Sequence, residues 1–468
     1  MRMNIHNDGQ GLLERLWRYP LMEAILHRRS RRFGLGMKLE GGPLAYASRH
    51  EPQPLSLLEE AILAFAAAGL SGFCLGELPY APGERPESGG GNIMVSLVGR
   101  TIASADAVHG TALLMLNDEG SYLIRGPQGL PESELSALNQ LAQNRQIEAL
   151  FQRMRVRLHD RRVEIPREVP NMPPFNKWSA NVSGSTYFLP VSDLSALYIN
   201  LLLACFSEEI GYFILDERNA WKPAGIGRFA RSKGKHLHDD PDKGRVLTIQ
   251  HLESLLIECL MAEQAFMAHN LSLLEQAMGL GGFTHFAGLD LSWFEALGFR
   301  MGEQTLAKMM GAGRLMTAVL NLLGKNKPVP VPLGLELAGE VLLKPYCPPY
   351  HASMEKAVLA FIDAKFSAQC GSLKASSSPN AWKESEAVKA GIPAYSEAAV
   401  AATIAYCEYV HARYGRFPAH FGPYRITLAH QAHHLDLEFY DRFFAPGAYT
   451  QTQEQHASVW HGSNENQA

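Results

Sequence analysis

Residues 249–282 read IQHLESLLIECLMAEQAFMAHNLSLLEQAMGLGG. Apolar residues fall at 252, 255, 256, 259, 260, 266, 267, 274, 277 and 278, spaced by threes and fours. That is the period of a helix. The spacing predicts one helix from about Ile249 to Met278, roughly 45 Å long at the usual rise. Gly279-Leu280-Gly281-Gly282 ends it. Apolar side chains spread well around it, so it belongs at the centre of the fold. Glu253, Glu258, Glu263, His269 and Glu275 make it a buried protein helix, not a membrane span. The most apolar run, Leu197 to Phe206, is about half the length a bilayer requires.

Outward from this helix, the N-terminal part alternates helices and strands. Leu12, Leu13, Leu16, Trp17, Ile25 and Leu26 give residues 11–29 an apolar side, and Pro20 interrupts them. Ser56 and Glu59 form a capping box opening a helix that Gly69 stops. Residues 76–91 form a glycine-rich loop. Residues 112–116 and 121–124 are a hairpin across the turn 117–120. A helix is expected from Pro131 to about Arg155. Another, capped at Ser192-Asp193, runs to about Ser207, and a strand follows at 210–215. Residues 216–247 are polar and basic and read as a long loop, a lid or an ordered insertion. Toward the C-terminus a helix is expected over 303–323. Residues 328–337 form a strand whose prolines suit an edge or a strand end. A boundary falls near residue 346. Beyond it come helices over 353–368, 396–414 and 425–444, then a frayed tail at 446–468.

The chain has 468 residues, room for two or three domains, and is 46% hydrophobic and 19% charged. Its net charge of −4 gives no general pull toward nucleic acid or membrane. Six scattered cysteines with no C-x-x-C read as reduced thiols, against a disulfide framework or a zinc ribbon. The N-terminus lacks a signal-peptide pattern, and a cytoplasmic protein is expected.

Four arginines and a serine crowd into His27-Arg28-Arg29-Ser30-Arg31-Arg32-Phe33. Arginine forks and a hydroxyl suit a phosphate. In an extended segment Arg28, Ser30 and Arg32 would point the same way. The same cluster could also be a solvated basic patch. The segment, followed by Pro54-Leu55-Ser56-Leu57-Leu58-Glu59, resembles the start of the nitroreductase-like flavoproteins. Gly99-Arg100-Thr101-Ile102-Ala103-Ser104-Ala105 is similar to a segment of the dehydrogenase branch that includes azoline oxidases. Gln264, Asn270, Leu271-Ser272-Leu273-Leu274 and Met278 to Gly282 resemble a third family segment, near the flavin.

The resemblance covers about residues 10–345, with an unmatched insertion at about 130–245. It implies an α+β fold in which a nitroreductase-like antiparallel or mixed sheet is flanked by helices. Residues 1–345 would be the flavin-binding domain and 346–468 a C-terminal helical region. It further implies an FMN-dependent oxidoreductase, a reductase or dehydrogenase on a small organic or heterocyclic substrate. Electrons would come from NAD(P)H or from the substrate, and the flavin would lie at the interface of a homodimer. By the same likeness Arg28, Arg29, Ser30 and Arg32 hold the phosphate, and Ser104, Gly281 and Gly282 lie near the flavin. Lys344 matches a late basic residue by position only. Ala103 and Asp106 depart from the family's proline and glycine. His109 and His285 are the ionisable residues nearest those segments. The departures leave an alternative: a flavin-free or non-catalytic relative whose C-terminal helices bind a metal or a partner.

A second constellation is histidine-rich. His430, His434 and Glu438 are four apart and would share one face of a helix. Glu408 and His411 lie on the preceding helix, and His420 in the loop between. Imidazole and carboxylate suit zinc or iron. The other reading is an amphipathic packing helix with hydrogen-bonded histidines. His236-Leu237-His238-Asp239-Asp240 reads as a metal or substrate contact, or as a solvated turn.

Overall fold

A computed structural model describes residues 5–76, 93–126, 130 and 132–461. The architecture is α+β. Helix α1 (Leu57–Ala68) is followed by strands β1 (Thr111–Asn117), β2 (Gly120–Ile124), β3 (Arg155–His159) and β4 (Thr186–Asp193). Helix α2 (Leu194–Cys205), helix α3 (Ile249–Met278) and strand β5 (Gly281–Phe286) come next. Helix α4 (Glu397–Tyr414), strand β6 (Leu428–His433), helix α5 (Leu437–Phe443) and helix α6 (Gln451–His461) complete the set used below.

The largest sheet has the order β5-β6-β4-β1-β2-β3, with Tyr424–Arg425 also paired to β4. Every neighbouring pair is antiparallel. Both faces of β1 are buried, which is why Leu113 to Leu116 form an unbroken apolar run. Leu113 and Met115 meet α1 and the C-terminal half of α3 through Ala64, Met267 and Leu271. Leu114 and Leu116 face the other way, into a cluster with Tyr187, Trp293 and Phe294. Each such side chain contributes about 1.5–3 kcal/mol of burial. The N-terminal half of α3 packs Leu252, Leu256 and Leu260 with α2 and α4 in a third cluster.

Helix α3 has the limits read from its periodicity. Thr248 caps its start, and Gly279, at φ +86°, closes its end in the left-handed region. The Ser56–Glu59 capping box is formed in both directions. Pro20 separates two helices, Ile5–Arg18 and Leu21–His27. The cysteines are all free thiols. Among the described residues no helix is long and apolar enough to cross a membrane.

Several local expectations change. The segment 425–444 is not one helix: it is a two-residue strand, then β6, then the short helix α5. β6 sits inside the sheet between β5 and β4, so the region after 346 is not only helical. Pairing on both edges, with both faces covered, outweighed the helical spacing of its histidines. The segment 303–323 begins as a strand, Phe299–Thr305, and only Leu306–Met309 and Arg314–Leu322 are helical. Pro328–Leu337 is the middle strand of a three-stranded sheet, not an edge. The stretch 446–468 carries the ordered helix α6. Arg145, at φ +58°, divides the helix expected over 131–155 into Glu132–Gln143 and Ile147–Met154. The strand β4 lies within 130–245, so that insertion supplies part of the sheet. Most of the glycine-rich loop 76–91 lies outside the described residues.

Candidate functional site

The long helix is lined with buried polar residues, each gripping a different segment. Glu253 accepts from the Ala419 and His420 amides and from His420 Nδ1, all at 2.7 Å. Glu263 accepts from Ser104 Oγ at 2.5 Å and the Thr111 amide at 2.9 Å. Gln264 donates to Ser192 and accepts from the Thr427 and Leu428 amides. Glu275 accepts from His430 Nε2 at 2.6 Å, which leaves Nδ1 for the Thr284 hydroxyl at 2.8 Å. Glu253, Gln264 and Glu275 are eleven apart. That is three helical turns to within about 20°, so they share one face. This spacing was a legible signal for the polar spine. Burial raises the Glu275 carboxyl, and His430 and Arg31 oppose that shift.

The arginine segment runs beside the end of this helix. The Arg31 amide donates to the Gly282 carbonyl at 3.1 Å, so the segment and the glycine pair meet as an isolated antiparallel bridge. The two predicted elements are therefore brought together. Arg31 is buried; its guanidinium donates to Ala448 O, Gln276 Oε1 and His27 O. Arg32 donates to Phe175 O, Asn176 Oδ1 and Ser179 Oγ. Its guanidinium lies over the rings of Phe283 at 4.5 Å and Trp178 at 5.1 Å. Burial lowers the pKa of both arginines. Arg28, Arg29 and Ser30 instead face solvent.

Gly281 and Gly282 are tightly enclosed. A Cβ on Gly281 would strike the Leu435 side chain, and one on Gly282 the Glu275 carboxylate. Ser104 is elsewhere on the spine. It meets Glu263, twelve residues from Glu275, or about 18 Å along the helix axis. Its hydroxyl also accepts from the His109 amide at 2.8 Å. His109 reaches Val98 O, and burial pushes its pKa down to about 4. His285 contacts Tyr187 Oη and Asn176 and is likewise pushed down to about 4 by burial. Lys344 is exposed. Asp106 adopts φ +54° and accepts from Asn200.

These contacts bear on whether the residues suit FMN. Arg28, Arg29 and Ser30 make no side-chain hydrogen bond or ion pair among the described residues and offer donors to an anion, so the phosphate end fits. Ser104 does not fit as a ring contact, because its hydroxyl is engaged by Glu263. Arg32 spends only Nη2 on the segment 175–179, which fixes its guanidinium over Phe283 and Trp178 and apart from the exposed Arg28 and Arg29.

The histidines do not assemble as their spacing implied. His430 lies within β6 and pairs with Glu275. Glu438 is on α5 and faces Tyr46, Arg49 and His50. His434 follows β6 and meets His456 and Glu59 instead. His420 is held by Glu253 and Glu217. His236 contacts Phe206 O, and His238 and Asp239 close a turn with Arg231 and Ser232. His434 joins Glu59, which the sequence marks only as a helix cap, and His456, which the sequence does not mark as a ligand.

Apart from these groups, a cavity of about 360 Å³ separates the N-terminal helix Ile5–Arg18 from α1 and α3. Leu13, Trp17, Phe65 and Leu274 line it, with Asn270 as a polar wall. Asn270 is committed to the carbonyls of Ala66 and Thr101.

No protein-family model and no curated protein matches the sequence. Among solved structures, the chain is similar to one titled a "putative nitroreductase" from Ralstonia eutropha JMP134. The match has 14% identity, covers 59% of this chain and 75% of that one, and has a TM-score of 0.28. A likeness of that size carries no argument about this chain.

Proposed function

We propose that the chain is an FMN-dependent oxidoreductase of nitroreductase-like fold, acting on a small organic or heterocyclic substrate. The observation that carries this reading is the pairing of Arg31 with Gly282. It joins two of the three family-like segments, separated by some 250 residues of sequence, and leaves Arg28, Arg29 and Ser30 on the surface beside the join. Those three residues would hold the phosphate, with Gly281 and Gly282 as the rigid backing. A bound flavin would supply the hydride or electron transfer. The helix just before the arginines exposes Leu21, Met22, Ile25 and Leu26, an apolar face that a second copy of the chain would cover in a homodimer. NAD(P)H or the substrate itself would provide the electrons.

A second reading is a flavin-free relative. The engagement of Ser104 by Glu263 and of Arg32 by residues 175–179 favours it. One experiment separates the two. On the first reading the purified protein carries or takes up FMN with its visible absorbance band, and Arg28→Ala and Ser30→Ala weaken retention. A colourless protein that cannot be reconstituted with FMN establishes the second.

A further inference from the structure

We propose that Glu59, His434 and His456 form a binding site for a divalent transition-metal ion of the zinc class. Each side chain offers one ligand atom, and the three atoms lie within 4.8 Å of one another. His434 Nδ1 is 3.0 Å from His456 Nε2, and His456 Nε2 is 3.5 Å from Glu59 Oε1. Metal–ligand bonds of about 2.0–2.1 Å in a tetrahedral site separate neighbouring ligands by roughly 3.3 Å. The two separations at His456 bracket that edge, and the third pair lies within 4.8 Å, so a small closing movement completes the set.

Three separate elements bring the ligands together. Glu59 sits in the first turn of α1, where the capping box fixes its carboxylate: Oε2 accepts from the Ser56 amide and hydroxyl at 2.7 and 2.8 Å. Oε1 accepts no hydrogen bond and is turned toward His456. His434 leaves the sheet directly after β6. His456 arrives on α6, which docks through Gln453 and Thr450 onto Gln276. Gly279 makes that docking possible, because a Cβ there would stand 2.6 Å from His456 Cβ.

The chemistry of the set selects the ion. Glu59 is fully buried and His434 nearly so. A cation would balance a carboxylate held away from water. Two imidazoles favour zinc, iron, nickel or copper over magnesium or calcium. Two histidines and a glutamate leave a fourth tetrahedral position for water or a substrate atom.

This site does not depend on the flavin reading, and its test reads no flavin signal. Full-length protein stripped with a chelator is titrated with zinc chloride, followed by calorimetry and by thermal unfolding. One equivalent of zinc with an upward shift in Tm is expected. His456→Ala, on the docked terminal helix, and Glu59→Gln, which preserves size, should each weaken binding by at least roughly tenfold. Losing even an outer hydrogen-bond partner of a metal ligand costs that much. Glu438→Ala should bind zinc like the parent. The proposal is overturned if the parent binds no stoichiometric zinc, or if His456→Ala and Glu59→Gln bind it as tightly as the parent does.

Discussion

Arg28-Arg29-Ser30 and Arg31-Arg32 are neighbours in sequence with opposite environments. The first three residues lie in solvent and engage nothing among the described side chains. The next two are drawn into the fold: buried Arg31 ties the N-terminal segment to α3 and the C-terminal region, and half-buried Arg32 clamps residues 175–179 through Nη2. The difference shows that a basic cluster is not one functional unit. A buried guanidinium whose donors are spent on carbonyls and amides is structural. An exposed one keeps its donors for a ligand.

The sharpest break of this contrast is Arg31→Ala. It leaves Gln276 and the Ala448 carbonyl without their charged donor, while the backbone bridge to Gly282 keeps its amide. We expect a loss of roughly 3 kcal/mol, from several buried hydrogen bonds to a charged group, read by urea unfolding. Gly282→Ala acts at the bridge itself. The new methyl displaces Glu275 from His430, and about 1–3 kcal/mol is expected for overpacking, again from urea midpoints.

Lys365 extends the comparison to a buried cation in a different cluster. It donates to Tyr395 Oη at 2.6 Å and Asn200 Oδ1 at 3.1 Å, and burial lowers its pKa from 10.5 to about 7. Between those values the unfolded chain binds a proton that the folded chain does not. This group therefore makes stability rise with pH across that window, and the cost is fully present below it. Lys365→Met should remove that component of the slope, seen by comparing unfolding midpoints at the two ends of the window. The smallest effect on stability is expected for Arg28→Ala and Ser30→Ala, within about 0.5 kcal/mol. Their FMN retention should nonetheless fall. If Arg28→Ala destabilised the fold as much as Arg31→Ala, the division between the two halves of the segment would be wrong.

Much of the fold was legible locally. The limits of α3, the capping box at Ser56, the break at Pro20 and the hairpin of β1 and β2 follow from periodicity, caps and turn residues. The same rules failed where the tertiary context decided. His430 and His434 satisfy a helical spacing, but residues 428–433 are enclosed between β5 and β4 and pair with both as a strand. Of the candidate site, sequence reasoning found the arginine segment and the glycine pair but not their division of labour. Ser104 could not be assigned from its neighbours, because its partner Glu263 is 159 positions away. Glu59 was read only as a cap, and His456 only as part of a tail.

The sequence alone determines the long central helix, the apolar strands and the presence of arginine, histidine and carboxylate groups, because each depends on residues a few positions apart. Only the tertiary structure decides which of those groups are buried and which meet. Desolvation and hydrogen-bond pairing act between segments hundreds of residues apart. They turn Arg31 into a strut, leave Arg28 free for a ligand, and set His434 beside Glu59 and His456.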